Sequence, residues 1–313
     1  MIVSLILLLV SLMILLKSAE YSIKYSSKLS RLLKISEFVV GFFIIALISS
    51  IPEATVSIIS ALKGTPELGF GTLLGSKIAD LTIILGIVSL FSFKGIKIES
   101  KIIKNNFSYL LLFVFPLVLG LDGRYSRIDG LILLFLGGLF LLKIYLDNKQ
   151  SHEESKGKEE GSIPKQFILL MISIIILLVS AFLTVEFATD FATKIKLSPL
   201  IIGATIVALG TCLPELAFAI KSIKQKKDGL AIGEILGSVV IDITLVLGLV
   251  ALISPFNYSI NNITFIAGTL FLVGIIATVF MKTHKSINKI EGIILIIIYV
   301  LFIFAQLFFS NYL

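Results

Sequence analysis

Three observations predict an all-α membrane protein of ten transmembrane helices, arranged as two five-helix repeats of inverted topology. The 313-residue chain is 57% hydrophobic and only 15% charged, against roughly 45–50% and about 25% in soluble domains. Apolar runs of about 15–25 residues recur along it, the length needed to cross roughly 30 Å of hydrocarbon. A segment of the first half also returns in the second at a constant offset of 162 positions. A soluble fold of this composition would leave long apolar surfaces in water, which excludes an ordinary cytosolic enzyme. The single Cys212 excludes a disulfide framework, a zinc cluster and an Fe–S site. His152 and His284 lie among polar residues in apparent loops, which argues against a His-based metal or redox centre.

The runs fall at about 1–16, 37–61, 69–93, 107–121, 128–146, 166–186, 198–220, 230–254, 262–281 and 290–310. They are continuous, without the alternation of membrane strands, so helices are preferred to a β-barrel. The first run resembles a signal peptide, but no positive charge precedes it. Basic residues follow instead, at Lys17, Lys24, Lys28, Arg31 and Lys34. It is read as a retained first helix that starts outside. The loops after the odd-numbered helices, with their flanks, carry 21 of the 27 Lys and Arg residues. The opposite loops carry Lys63, Arg124, Arg127, Lys194 and Lys196. The excess of positive charge marks the cytoplasmic face, so both termini are expected outside a plasma membrane. The net charge of +7 is then topogenic and not a nucleic-acid footprint. Residues 147–164 form the only sustained polar segment and read as a cytoplasmic linker between a first half, 1–146, and a second, 165–313.

The repeated segments are about 39–90 and 201–252. At the offset, Gly41 falls on Gly203, Ala46 on Ala208, Pro52 on Pro214 and Glu53 on Glu215. Without a gap, Gly71 falls on Gly233, Gly75 on Gly237, Ser76 on Ser238, Asp80 on Asp242 and Gly86 on Gly248. Five helices per half turn the second copy over in the bilayer, an arrangement common in secondary transporters.

The matched residues carry chemistry. Glu53 and Glu215 each lie within an apolar run directly after a proline, and acids at such depth are functional candidates by default. Proline removes a backbone donor and obstructs the carbonyl four residues earlier, so carbonyls near Ala46–Ser49 and Ala208–Thr211 are expected to be partly freed. Irregular backbone at this depth requires a protein-buried or wet cavity. Ser76 and Asp80, like Ser238 and Asp242, stand four apart and share a helix face. Gly71, Gly75, Gly233 and Gly237 permit close helix contact beside the broken segments. Carbonyls, hydroxyls and four carboxylates meeting in one place would form a hard-oxygen site suited to Ca²⁺ or Na⁺.

The two segments resemble the α-repeats of the cation/Ca²⁺ exchanger superfamily, especially archaeal and bacterial sodium/calcium exchangers. The resemblance covers the ten-helix layout and both repeats, and implies an antiporter exchanging Ca²⁺ for Na⁺ by alternating access. On this resemblance Glu53 and Glu215 bridge Ca²⁺ and also take Na⁺, while the Ser49 and Thr211 carbonyls complete the Ca²⁺ shell. The Ala46 and Ala208 carbonyls, with Ser50, Ser76, Thr211 and Ser238, serve the remaining Na⁺ ions. Asp80 and Asp242 line the central position, and the first and sixth helices slide to switch access. Ca²⁺ and Na⁺ are cargo; no organic cofactor is implied. The partners are the lipid bilayer and inorganic cations, not nucleic acid, and a monomer is compatible with the sequence.

The chain departs from the family pattern at several positions. Ile48 stands where glycine is common, and Cys212 where a serine hydroxyl serves Na⁺; a thiol is a poor ligand for hard cations. Asp80 stands where many sodium/calcium exchangers have asparagine. Thr72 and Glu234 replace an asparagine. Lys77 sits three before Asp80, within side-chain reach on one helix. It either snorkels or pairs with a nearby acid, or acts as a tethered cation that neutralises Asp80. Cys212 and Lys77 are therefore candidate modulators. Glu186 and Asp190 read as vestibule acids, and Glu67 and Glu234 as mouth residues. Exchange driven by H⁺ or assisted by K⁺ stays open beside Na⁺, and four acids could also form a selective Ca²⁺ channel. An enzyme is the remotest reading.

Overall fold

The computed structural model describes residues 2–62, 66–92, 95–97, 108–149, 161–194, 212–257, 260–283 and 286–312. Among these, eight helical segments are long and apolar enough to cross a membrane. Their outer faces stay apolar, with Met13, Phe135, Phe182 and Ile290 all exposed.

Helix α1 (Ile2–Leu33) is 32 residues long and does not end near residue 16 as expected. No glycine or proline occurs from Lys17 to Leu33. Ser18, Ser22, Ser26 and Ser30 donate their hydroxyls to carbonyls three or four residues earlier. The polar stretch expected as a loop is thus a helical extension, closed at Lys34 by a φ of 55°.

A broken helix follows: α2 (Glu37–Val40), a π-helical turn (Gly41–Ile45), α3 (Ala46–Ser49) and, after Ser50, α4 (Ile51–Leu62). Next come α5 (Pro66–Ala79), a second π-helical turn (Asp80–Ile84) and α6 (Leu85–Phe91). The first half closes with β1 (Ile96–Lys97), α7 (Ser108–Leu119), β2 (Arg124–Tyr125) and α8 (Arg127–Lys149). The second half begins with α9 (Ile163–Lys194), α10 (Leu213–Lys224) and α11 (Asp228–Val240). A third π-helical turn (Ile241–Val246) leads to α12 (Leu247–Ile253) and β3 (Phe256–Asn257). It ends with α13 (Ile260–Thr283), β4 (Ser286–Ile287) and α14 (Lys289–Tyr312). Residues 198–211 of the expected seventh helix and 150–160 of the linker lie outside the described residues.

Local interruptions recur at the 162-residue offset. Helices α4 and α10 start at the matched Ile51 and Leu213. The matched π-helical turns contain Asp80 with Thr82 and Asp242 with Thr244. Each threonine hydroxyl donates to the carbonyl four residues back, Ile78 or Val240, a bond that competes with regular helix pairing. Strand β1 pairs antiparallel with β4, and β2 with β3, so each small sheet joins the two halves.

Glycines set the closest approaches. Helix α11 packs on α2 and the π-helical turn after it. A Cβ on Gly237 would meet the Phe42 carbonyl oxygen at 2.5 Å, and one on Gly41 would meet that of Leu230 at 2.5 Å. Gly233 lies in the same seam, and a Cβ there would meet the Phe42 nitrogen at 3.0 Å. The expected close contact therefore holds at Gly233 and Gly237. Nothing described lies within 4 Å of a Cβ built at Gly71 or Gly75. Gly203, the repeat counterpart of Gly41, lies outside the described residues. Helices α1 and α9 pack along one another through a polar seam. The Ser22 and Ser173 hydroxyl oxygens stand 3.0 Å apart across it, as do those of Thr184 and Ser11.

Candidate functional site

Glu53 and Glu215 occupy the first turns of α4 and α10. Each follows a proline at the second helical position, where the missing N–H would have had no helical partner. The chain is broken immediately before each helix, at Ser50 and Cys212. A carboxylate in a first turn also faces the positive end of the helix dipole. Both glutamates are buried, at 2% and 1% exposure, and among the described residues neither has a hydrogen-bond partner for either carboxylate oxygen. Burying an uncompensated carboxylate is costly, so these oxygens call for a cation or a proton.

Asp80 is the first residue of the π-helical turn after α5 and Asp242 the second residue of the one after α11, a type of distortion frequent at functional sites. Between them lies Lys77. Its Nζ is 2.5 Å from Asp80 Oδ2 and 2.9 Å from Asp242 Oδ2. It also donates to Ser238 Oγ at 3.5 Å, and Ser238 Oγ donates to Asp80 Oδ2 at 3.4 Å. Lys77, Asp80, Asp242 and Ser238 are all essentially inaccessible. The bond expected within one helix is thus present, and a second reaches across to the other half. Lys77 does not snorkel.

Glu234 is a correction. It was expected at a mouth, yet it is wholly buried. Its Oε1 accepts the Ser49 hydroxyl at 3.1 Å, while Oε2 has no partner among the described residues. It stands one helical turn before Ser238, near the start of a long apolar run, without the preceding proline and repeat partner that singled out Glu53. The Ala46 carbonyl is the alternative acceptor for the Ser49 hydroxyl, at 3.3 Å, and accepts the Ser50 N–H at 3.0 Å. The Ala46 carbonyl is therefore engaged in this conformation and not freed. Ser50 faces Asp242. Ser76 is buried but donates to the Leu73 carbonyl at 2.9 Å. Cys212 is buried beside Glu215. Ala208 and Thr211 lie outside the described residues. Among the described residues no three acids or thiols stand close enough together to hold a metal ion.

Glu186 and Asp190 are exposed near the end of α9. Lys194 donates to Asp190 at 2.7 Å and holds its carboxyl below the usual range. Lys194 also donates to Ser4 of α1 at 2.7 Å. The side chain of Glu67 lies outside the described residues.

A family model described as sodium/calcium exchanger protein matches residues 3–146 and 165–308. The chain is 33% identical over 262 residues to the inner membrane protein YrbG of Escherichia coli, covering 80% of this chain and 79% of that one. It is 27% identical over 343 residues to the sodium/calcium exchanger MaX1 of Methanosarcina acetivorans, covering 96% and 97%. A solved structure of the sodium-calcium exchanger NCX_Mj, soaked with 10 mM Na⁺ and zero Ca²⁺, superposes with a TM-score of 0.83 at 28% identity, covering 96% and 97%.

Proposed function

The chain belongs to the sodium/calcium exchanger protein family, a multi-pass membrane transporter of inorganic cations and not an enzyme, and from that premise we propose Na⁺-driven Ca²⁺ antiport by alternating access. The observation that carries the reading is the pair of matched Pro-Glu helix starts. Each presents a buried carboxylate whose two oxygens have no hydrogen-bond partner among the described residues, and the two glutamates are electrostatic neighbours.

In this reading the chain crosses the membrane ten times in two oppositely oriented halves, with basic loops cytoplasmic and both termini outside. Glu53 and Glu215 bridge Ca²⁺ with the Ser49 and Thr211 carbonyls. Na⁺ ions replace it using the same glutamates, the Ala46 and Ala208 carbonyls, and Ser50, Ser76, Thr211 and Ser238. For the Ala46 carbonyl to serve, the Ser49 hydroxyl must first turn away, which links ion entry to the Ser49–Glu234 contact. Four or more buried carboxylates repel one another without cations, so the empty carrier resists crossing and the exchange is coupled. Helices α1 and α9 move as a pair over the ion sites, and their hydroxyl seam supports movement as a unit.

A second reading is proton-driven exchange, favoured by Cys212 beside Glu215 where a Na⁺ ligand set would need a hydroxyl. ⁴⁵Ca²⁺ uptake into proteoliposomes with Na⁺, K⁺ or H⁺ gradients imposed separately decides between them. A Na⁺ gradient is expected to drive uptake, and Glu53→Gln and Glu215→Gln are each expected to abolish it. Uptake intact in both variants would refute the site.

A further inference from the structure

Asp80 and Asp242 are equivalent under the 162-residue offset, but the equivalent of Lys77 is Val239. One ammonium, supplied by the first half alone, therefore serves an aspartate of each half. An ammonium has three N–H donors, and three oxygens surround this one: Asp80 Oδ2, Asp242 Oδ2 and Ser238 Oγ. Among the described residues Lys77 is the only buried basic side chain. The buried carboxylates thus divide into two groups. Asp80 and Asp242 share a cation that belongs to the chain, the contact to Asp242 being an ion pair by distance; among the described residues Asp80 Oδ1 and both oxygens of Asp242 have no hydrogen-bond partner. Among the described residues Glu53 and Glu215 have every carboxylate oxygen without a hydrogen-bond partner, and Glu234 has one. A buried carboxylate without a partner is compensated by a cation or by a proton. The glutamates must draw theirs from solution; the aspartates already hold one.

We propose that the Lys77 ammonium is a resident cation that holds the place between Asp80 and Asp242 throughout the transport cycle, so that no exchanged ion binds there. The exchanged ions are confined to the glutamates, and the counter-ion requirement falls by one monovalent charge. Lys77 is then a specificity-determining residue that sets coupling. It takes the position of an ion without being transported.

The first test needs no transport. Lys77→Ala removes the atoms of n-propylammonium from the site. In detergent, with choline as the reference cation, n-propylammonium or K⁺ is expected to raise the melting temperature of Lys77→Ala by several degrees. Wild type is expected to show no such rise with n-propylammonium. Adding Asp80→Asn and Asp242→Asn should erase the response. If no small cation stabilises Lys77→Ala more than wild type, including because the variant never folds, the proposal is overturned.

The second test rests on the antiport reading. The double variant Lys77→Asn/Asp80→Asn keeps the site's net charge and leaves Asp242 free for an ion. Counter-ion dependence of ⁴⁵Ca²⁺ uptake is expected to steepen, with the Hill coefficient rising by about one. An unchanged coefficient overturns the proposal. If wild type moves no Ca²⁺ under any gradient, the antiport reading fails, and the melting experiment still decides whether Lys77 fills a cation place.

Discussion

Two charged side chains separate what a local pattern can reveal from what it cannot. The three-residue spacing of Lys77 and Asp80 makes their meeting predictable, and they do meet. Nothing local links Lys77 to Asp242, which is 165 positions away and comes within 2.9 Å only through packing of the halves. Glu234 was misplaced because it lies near the start of its apolar run. Helix α11 begins at Asp228 and is buried continuously from Leu230 to Val240, so even its early turns lie inside the protein. Glu234 holds the Ser49 hydroxyl, and Ser49 contributes a carbonyl to the proposed Ca²⁺ shell. Glu234→Ala is expected to weaken Ca²⁺ affinity roughly tenfold, as for partners that orient metal ligands. Glu234→Gln keeps an acceptor for Ser49 and should weaken it much less. The concentration of Ca²⁺ giving half-maximal uptake checks both.

At the scale of elements, proline marks the breaks correctly and hydropathy underestimates two lengths, those of α1 and α9, each 32 residues. Pro52 and Pro214 stand one residue inside the helices they start, and the glutamates follow in the first turn. The 32-residue α1 outruns its apolar stretch because hydropathy reports where lipid is, whereas helix continuity depends on the absence of breakers and on hydroxyls that bond backward. Glycines give a direct test of the packing. Gly237→Ala would force Phe42 and Ala46 away from α11, and is expected to cost about 1–3 kcal/mol by overpacking. Gly138 in α8 is exposed and has open space around its Cβ position. Gly138→Ala should leave stability unchanged or raise it by up to about 1 kcal/mol through helix propensity. Melting temperatures in detergent should therefore move in opposite directions for the two alanines, or at least fall only for Gly237→Ala.

For the molecule as a whole, charge asymmetry sets an orientation that labelling can read. In a Cys212→Ser background, cysteine at Ser155 is expected to react with an impermeant thiol reagent only from the cytoplasmic side, and cysteine at Asp122 only from outside. The reverse pattern would invert the topology. Residue order alone settles that the chain is a membrane protein with a repeated acidic core, because apolar composition, ungapped repetition and acids at depth are properties a linear pattern carries. Packing of one half on the other decides which carboxylates stay open. The second contact of Lys77 and the burial of Glu234 arise between segments about 160 to 185 positions apart. Electrostatic pairing in a buried site is a matter of distance in space, and no periodicity along the chain encodes it.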